Sequence, residues 1–250
     1  MKIKMLIASA IVLLSSAAQA GTINYGTGQY NPWGNTTNNE AMDSAFGAGN
    51  WNLSHGYSTS VFTDADFVFL DGGDSNANEF SSFLANNSAV IANYVANGGH
   101  LFLNAAPNQG GSFDMGFGVQ LNYPGFGSNV TVTEAGVAAG LTEGGLATNY
   151  SGSAFSHAFV SGTGISNLIM DENGRIVFGA MQFGKGFVAF GGETTTNFHY
   201  PSGNSAALRV NELRYVANAE TSNDVPEPAS LALIGMGLLA AGAARRKAAK

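Results

Sequence analysis

Two short apolar runs dominate the hydropathy pattern: Phe67-Val68-Phe69-Leu70, entered by Asp66, and Leu101-Phe102-Leu103, entered by His100 and closed by Asn104. Unbroken runs of this length suit strands buried on both faces. Between them, Phe80, Phe83, Leu84, Val90, Ile91, Tyr94 and Val95 recur at helical spacing over 79–96. A break is expected near Asn86-Asn87, and Gly98-Gly99 supplies the stop. Strand, helix and strand in this order predict a βαβ unit and hence a parallel sheet.

The rest of the pattern is looser. A first strand is expected at 22–25, then a Gly/Asn/Pro-rich loop, then a short helix at 40–46 capped by Asn38 or Asn39. Residues 129–133 alternate as an exposed strand would. A strand at 165–170 leads through Asp171-Glu172-Asn173-Gly174 into another at 176–180. Gly184-Lys185-Gly186 enters a last core strand at 187–190. The helix predicted at 206–217 is amphipathic, with Leu208, Val210, Leu213, Tyr215 and Val216 on its apolar side. No internal repeat is present.

Both ends carry apolar runs of another kind. Lys2 and Lys4 precede an apolar stretch at 5–14, and Ala18-Gln19-Ala20 forms a small-x-small cleavage site. Residues 1–20 therefore read as a signal peptide, cut before Gly21 through the translocon and signal peptidase. At the other end, 229–244 lacks charge, and as a helix it would span roughly 24 Å against the ~30 Å of a hydrocarbon core. Arg245, Arg246 and Lys247 follow at once, as on a cytoplasmic flank. Val225-Pro226-Glu227-Pro228, the apolar run and the Arg-rich end together resemble the PEP-CTERM sorting signal. That resemblance implies an exosortase as partner, recognition of Pro226, Glu227 and Pro228 at the membrane, and delivery to the surface or extracellular polymer of a Gram-negative-type bacterium. The expected plan is a domain at 21–218, a linker at 219–225 and a sorting signal at 226–250 containing a transmembrane segment at 229–244.

Composition narrows what the domain can do. Four of the ten Lys and Arg and sixteen of the seventeen Asp and Glu fall within 21–225, a net charge near −12. Nucleic acid is excluded as a partner on that balance, since its binding rests on cations that neutralise phosphates. The chain has no Cys, so it has neither disulfide staples nor a thiol nucleophile.

Several phrases resemble the class I glutamine-amidotransferase-like fold, flavodoxin-like in architecture. They are Asp66-Phe67-Val68-Phe69-Leu70-Asp71, the passage from Ile91 through Tyr94-Val95 and Gly98-Gly99 to Leu101, Gly184-Lys185-Gly186-Phe187-Val188, and Asn211 in the closing helix. The resemblance implies an α/β domain with a parallel sheet and flanking helices. It also implies a cysteine on the turn after a central strand, near a His and a Glu. Here that turn reads Ala105-Ala106-Pro107-Asn108, and Phe198-His199-Tyr200-Pro201 resembles the family's F-H-P-E segment without the acid. A catalytically dead domain in a binding or structural role is therefore expected, with extracellular polysaccharide as a candidate partner.

The alternative is a secreted hydrolase of glycans or peptides using Asp71, Asp74 and His199. Asp71-Gly72-Gly73-Asp74 follows a predicted parallel strand, where open α/β sheets bind ligands, and its oxygens suit calcium. Turn formation explains the same residues. The four His show no zinc-binding spacing. Tyr30, Trp33 and Trp51 are candidates for a sugar-stacking platform.

Overall fold

A computed structural model describes residues 21–220 of the chain. The signal peptide with Ala18 and Ala20, and the sorting tail with Pro226, Glu227, Pro228, the 229–244 span, Arg245 and Arg246, lie outside the described residues. Among the described residues no helix is long and apolar enough to cross a membrane.

The expected βαβ unit forms as β3 (Ala65–Asp71), α2 (Ala77–Ala96) and β4 (His100–Asn104), and the two strands pair in parallel. Side chains alternate across β3, so Phe67 and Phe69 enter one core cluster while Val68 and Leu70 enter the other. The break in α2 falls at Asn87 (φ −123°, ψ 15°), whose amide donates back to the Phe83 carbonyl at 2.8 Å. Gly98 ends the helix in a left-handed conformation (φ 113°).

Around this unit the sheet grows both ways. β1 (Thr22–Thr27) pairs in parallel with β3 and carries β2 (Asn52–His55) on its outer side. β12 (Gly186–Gly191) pairs in parallel with β4. Helix α1 (Thr37–Phe46) connects β1 to β2, and α4 (Ser202–Ala217) packs against α1 over β3, β4 and β12. Helices α1 and α4 bury one face of the parallel strands, and α2 buries the other.

Beyond β12 the expected parallel order stops. β11 (Ile176–Phe183), β10 (Ser166–Asp171), β7 (Gly127–Val132), β8 (Asn149–Ser156) and the short β13 (His199–Tyr200) continue the sheet antiparallel. A second branch, β9 (Phe159–Gly162), β6 (Val119–Asn122) and β5 (Phe113–Gly116), leaves from β11. The sheet is therefore mixed, because the turns at Asp171–Gly174 and Gly184 are too short for a parallel crossover. Helix α3 (Glu134–Ala138) lies against β10.

Three expectations change. β7 sits between β8 and β10 with Val130 and Val132 buried, so it is an interior strand. α1 starts three residues earlier than expected, because Asn35 Oδ1 accepts from the Thr37 N–H, and Asn38 turns inward instead of capping. α4 starts at Ser202, four residues early, and its buried side holds Arg209 and Glu212 among Leu208, Leu213 and Val216.

Close packing where α2 meets β12 leaves no room beside Gly186, where an added Cβ would overlap the carbonyl oxygens of Val95 and Gly99. Gly186→Ala should cost about 2 kcal/mol or more, lowering Tm by roughly 4–8 °C. Gly111→Ala faces open space and should stay within about 0.5 kcal/mol. Thermal melts of both variants check the pair.

Candidate functional site

Ligand sites of open α/β sheets lie beyond the C-terminal ends of the parallel strands. Here those ends deliver Asp71 from β3, Asn104 from β4 and Glu193 just after β12, while α4 lowers Arg209 and Glu212 onto them. Asp71 is 1% exposed, and its carboxylate accepts from Asn38 at 2.6 Å, the Gly73 N–H at 2.7 Å and Asn104 at 3.3 Å. Asn104 also clasps Glu193, donating to its carbonyl at 3.0 Å and accepting from its N–H at 3.1 Å. Glu193 Oε2 holds Arg209 Nη2 at 2.8 Å. Arg209 Nη1 lies 3.3 Å from Glu212 Oε2, close enough for attraction but misaligned for a hydrogen bond. Its guanidinium rests over the Phe102 ring, 5.5 Å from the centroid.

Burial decides the charge states. It pushes Glu212 well above the usual carboxyl range, and the Glu193 charge adds to the push. Burial raises Glu193 as well, against the opposing pull of Arg209. Burial also raises Asp71, against the opposing pull of Arg209 and its hydrogen-bond donors. Arg209 itself loses hydration, but the facing carboxyls outweigh that loss and hold it charged. His199 is 2% exposed, stacks on Phe155 at 3.8 Å, and sets Nε2 2.8 Å from Thr194 Oγ1. Burial, with the Arg209 charge beside it, pulls its pKa down to about 3.

Asp71 and His199 thus both lie within the field of Arg209, inside the protein. Asp74 is elsewhere. Its backbone is left-handed (φ 56°), and its two oxygens accept from the Trp33 N–H at 3.2 Å and Asn108 at 3.1 Å. The Asp71–Asp74 segment forms a turn, and both carboxylates accept hydrogen bonds from the protein. Among the described residues, no group of three or more acids and histidines is placed to hold a metal. Where the amidotransferase resemblance would put a nucleophile, Ala105 and Ala106 are fully buried, their backbone tied to Gly191 and Asp74.

The aromatic platform expected of Tyr30, Trp33 and Trp51 is divided. Trp51 packs on Tyr25 and donates to Asp43 near the far end of α1. Trp33 instead meets His157 and Phe198, each at 5.6 Å. Glu193, Arg209 and Glu212 escaped the sequence reading. For Arg209 and Glu212 the signal was present: Leu208, Glu212 and Val216 repeat every four residues, and Arg209 shares that stripe with Leu213.

Residues 224–247 match the PEP-CTERM protein-sorting motif, which marks an exported protein handled by an exosortase. No curated protein matches the chain. Among solved structures, a β-galactosidase from Bacillus circulans sp. alkalophilus is 12% identical over 78% of this chain and 30% of its own, with a TM-score of 0.46. This chain thus spans under a third of that enzyme's length. A protein from Thermoplasma acidophilum, described as one of the subunits of GMP synthase, is 9% identical, covering 77% of this chain and 94% of its own at a TM-score of 0.47. A protein described as ThuA-like from Parabacteroides merdae is 12% identical, covering 83% and 93% at 0.45.

Arg209→Met removes the cation that faces two buried carboxyls, so it should cost about 3–5 kcal/mol, whereas Glu212→Gln keeps the side chain's shape at the longer and misaligned contact and should cost under about 1 kcal/mol at pH 7. Equal losses in urea unfolding would contradict the leading role of the Arg209–Glu193 contact. His199 gives a second expectation. Unfolded, it takes up a proton near its ordinary value of 6.5, and folded only near 3. The unfolded state therefore binds more protons in between, so this residue destabilises the fold progressively as pH falls from about 6.5 to 3 and has no effect above 7. His199→Phe should lose less Tm than the wild type between pH 7 and pH 5.

Proposed function

We propose that the chain is an exported, exosortase-sorted protein of the cell surface or extracellular matrix, whose amidotransferase-like domain binds or builds rather than catalyses. The sorting motif at 224–247 carries the reading. The translocon and signal peptidase would release the chain at Gly21, and an exosortase would act at Pro226-Glu227-Pro228. The interior of the domain fits a non-catalytic role. The turn after β4 offers two buried methyl groups in place of a nucleophile, and Asp71 and His199 are sealed from solvent. A hydrolase built on Asp71, Asp74 and His199 would need a substrate to reach groups already committed to protein partners.

Intact mass of the protein recovered from envelope and medium tests this. The expected species begins at Gly21 and ends near Pro226-Glu227-Pro228 in a strain with the sortase, and keeps its tail to Lys250 in a strain lacking it. A tail retained in both strains would overturn the surface-release reading.

A further inference from the structure

The loop end of the sheet has two sides of opposite character. Inside lie the charges around Arg209. Outside runs a row of partly exposed rings, Tyr123, Phe126, His157, Trp33 and Phe198, with successive centroids 6.2, 5.0, 5.6 and 5.6 Å apart. Phe126 is 54% exposed, and Tyr30, in the loop that leads to Trp33, is 64% exposed. The phenylalanines of the parallel strands β3 and β4, by contrast, are fully buried.

The row is held rigidly. Trp33 (φ 51°) and Asp74 (φ 56°) are both left-handed non-glycine residues, and the Trp33 N–H donates to Asp74. The Asp74 N–H donates to the Ala106 carbonyl at 2.9 Å, and His157 Nδ1 lies 2.9 Å from the Pro107 carbonyl. Loops from β1, β3, β4 and β8 are thereby locked together beneath the rings. Asn197, next to Phe198, is exposed, and only its oxygen is occupied, by Asn35. On the other side Asn108 commits its amide nitrogen to Asp74, leaving its oxygen open. One free donor and one free acceptor thus flank Trp33.

Charge chooses the ligand. Asp74, the acid in this surface, is engaged by Trp33 and Asn108. The cation nearest Phe126, Arg175, is paired with Asp171 at 2.6 Å and donates to the Phe126 carbonyl. Burial lowers the pKa of His157, so it too is neutral at pH 7. A phosphate finds no free cation here, since Arg175 is already paired, and a domain near −12 repels polyanions at a distance. Aromatic faces bordered by amides suit a neutral, polyhydroxylated chain, whose C–H faces lie on rings and whose hydroxyls exchange hydrogen bonds with Asn.

We propose that the Trp33–His157–Phe126 surface, with Asn197 and Asn108 beside it, is a binding site for neutral polysaccharide. The proposal rests on the surface or matrix reading above and gives that reading a ligand class and an address.

The chain has two tryptophans, so Trp51→Phe leaves Trp33 as the sole indole reporter. Titration of this mature variant with soluble mixed-linkage β-glucan, galactomannan and dextran should give a saturable emission shift with at least one of them, and none with anionic alginate. In native gels containing the same polysaccharide, wild-type protein should be retarded, while Trp33→Ala and Phe126→Ser should lose affinity at least tenfold. Phe126→Ser, at an exposed position, should keep the wild-type Tm and so separates binding from folding. Emission unmoved by every neutral polysaccharide, or variants retarded like wild type, would overturn the site. Cells separate the two ideas. If Phe126→Ser is processed and held in the extracellular polymer like wild type, this site falls and the surface reading stands. If wild type itself is neither processed nor held there, the surface reading falls.

Discussion

A guanidinium enclosed by protein forfeits its hydration, and only facing carboxyls in good geometry offset that loss. Arg209 is enclosed in this way, and much of the domain is arranged to answer it. Glu193 must follow β12 without slack, Asn104 must grip Glu193, and Asp71 must point inward from β3 to meet Asn104. α4 can deliver Arg209 only by lying across β3, β4 and β12, and that position brings it against α1. A pair of this kind adds little net stability over a well-packed apolar substitute. It does penalise every arrangement in which α4 is rotated or shifted, because the charge would then be buried alone.

The same pairing also shapes the loop end of the sheet. In an open α/β sheet this edge is the natural mouth of a ligand site. Here hydrogen bonds among Asn38, Asp71, Asn104 and Glu193 draw the strand ends together, and Ala105 and Ala106 cap the middle. Asp71, Glu193 and His199 are enclosed by protein at this edge. The outer layer of loops is held in one conformation by the Trp33–Asp74–Asn108 contacts. A rigid binding surface loses less entropy to ordering on association than a mobile one.

How much of this the sequence disclosed follows from which forces act locally. β3, α2 and β4 were legible because unbroken apolar runs and a 3.6-residue period have few other meanings, and even the distortion at Asn87 could be anticipated. β5, β6, β8 and β9 were not. β8 reads Asn-Tyr-Ser-Gly-Ser-Ala-Phe-Ser, which has no strand signature, and pairing with β7 and β13 determines its conformation. The parallel order expected throughout the domain holds for β2, β1, β3, β4 and β12 and stops at β11. In the site, Asp71 stood out by its place after a buried strand, and His199 by its neighbours. Arg209 and Glu212 stayed hidden because charges in an amphipathic helix are assigned to solvent by default. Trp33 and Trp51 looked like one platform because they are close in sequence, yet α1 separates them.

Charge also links the domain to its surroundings. The chain has no Cys, so no disulfide reinforces the fold, and the domain relies on packing and hydrogen bonding. The remaining acids are spread over the surface, and their field is screened within about 8 Å at physiological ionic strength. That field keeps like domains and acidic polymers apart without reaching into a contact. At the ring-lined surface, where Asp74 and Arg175 are already engaged, attraction is left to short-range stacking and amide hydrogen bonds. A surface of this kind discriminates by the shape and hydroxyl pattern of what lies on it, and its grip should change little with salt.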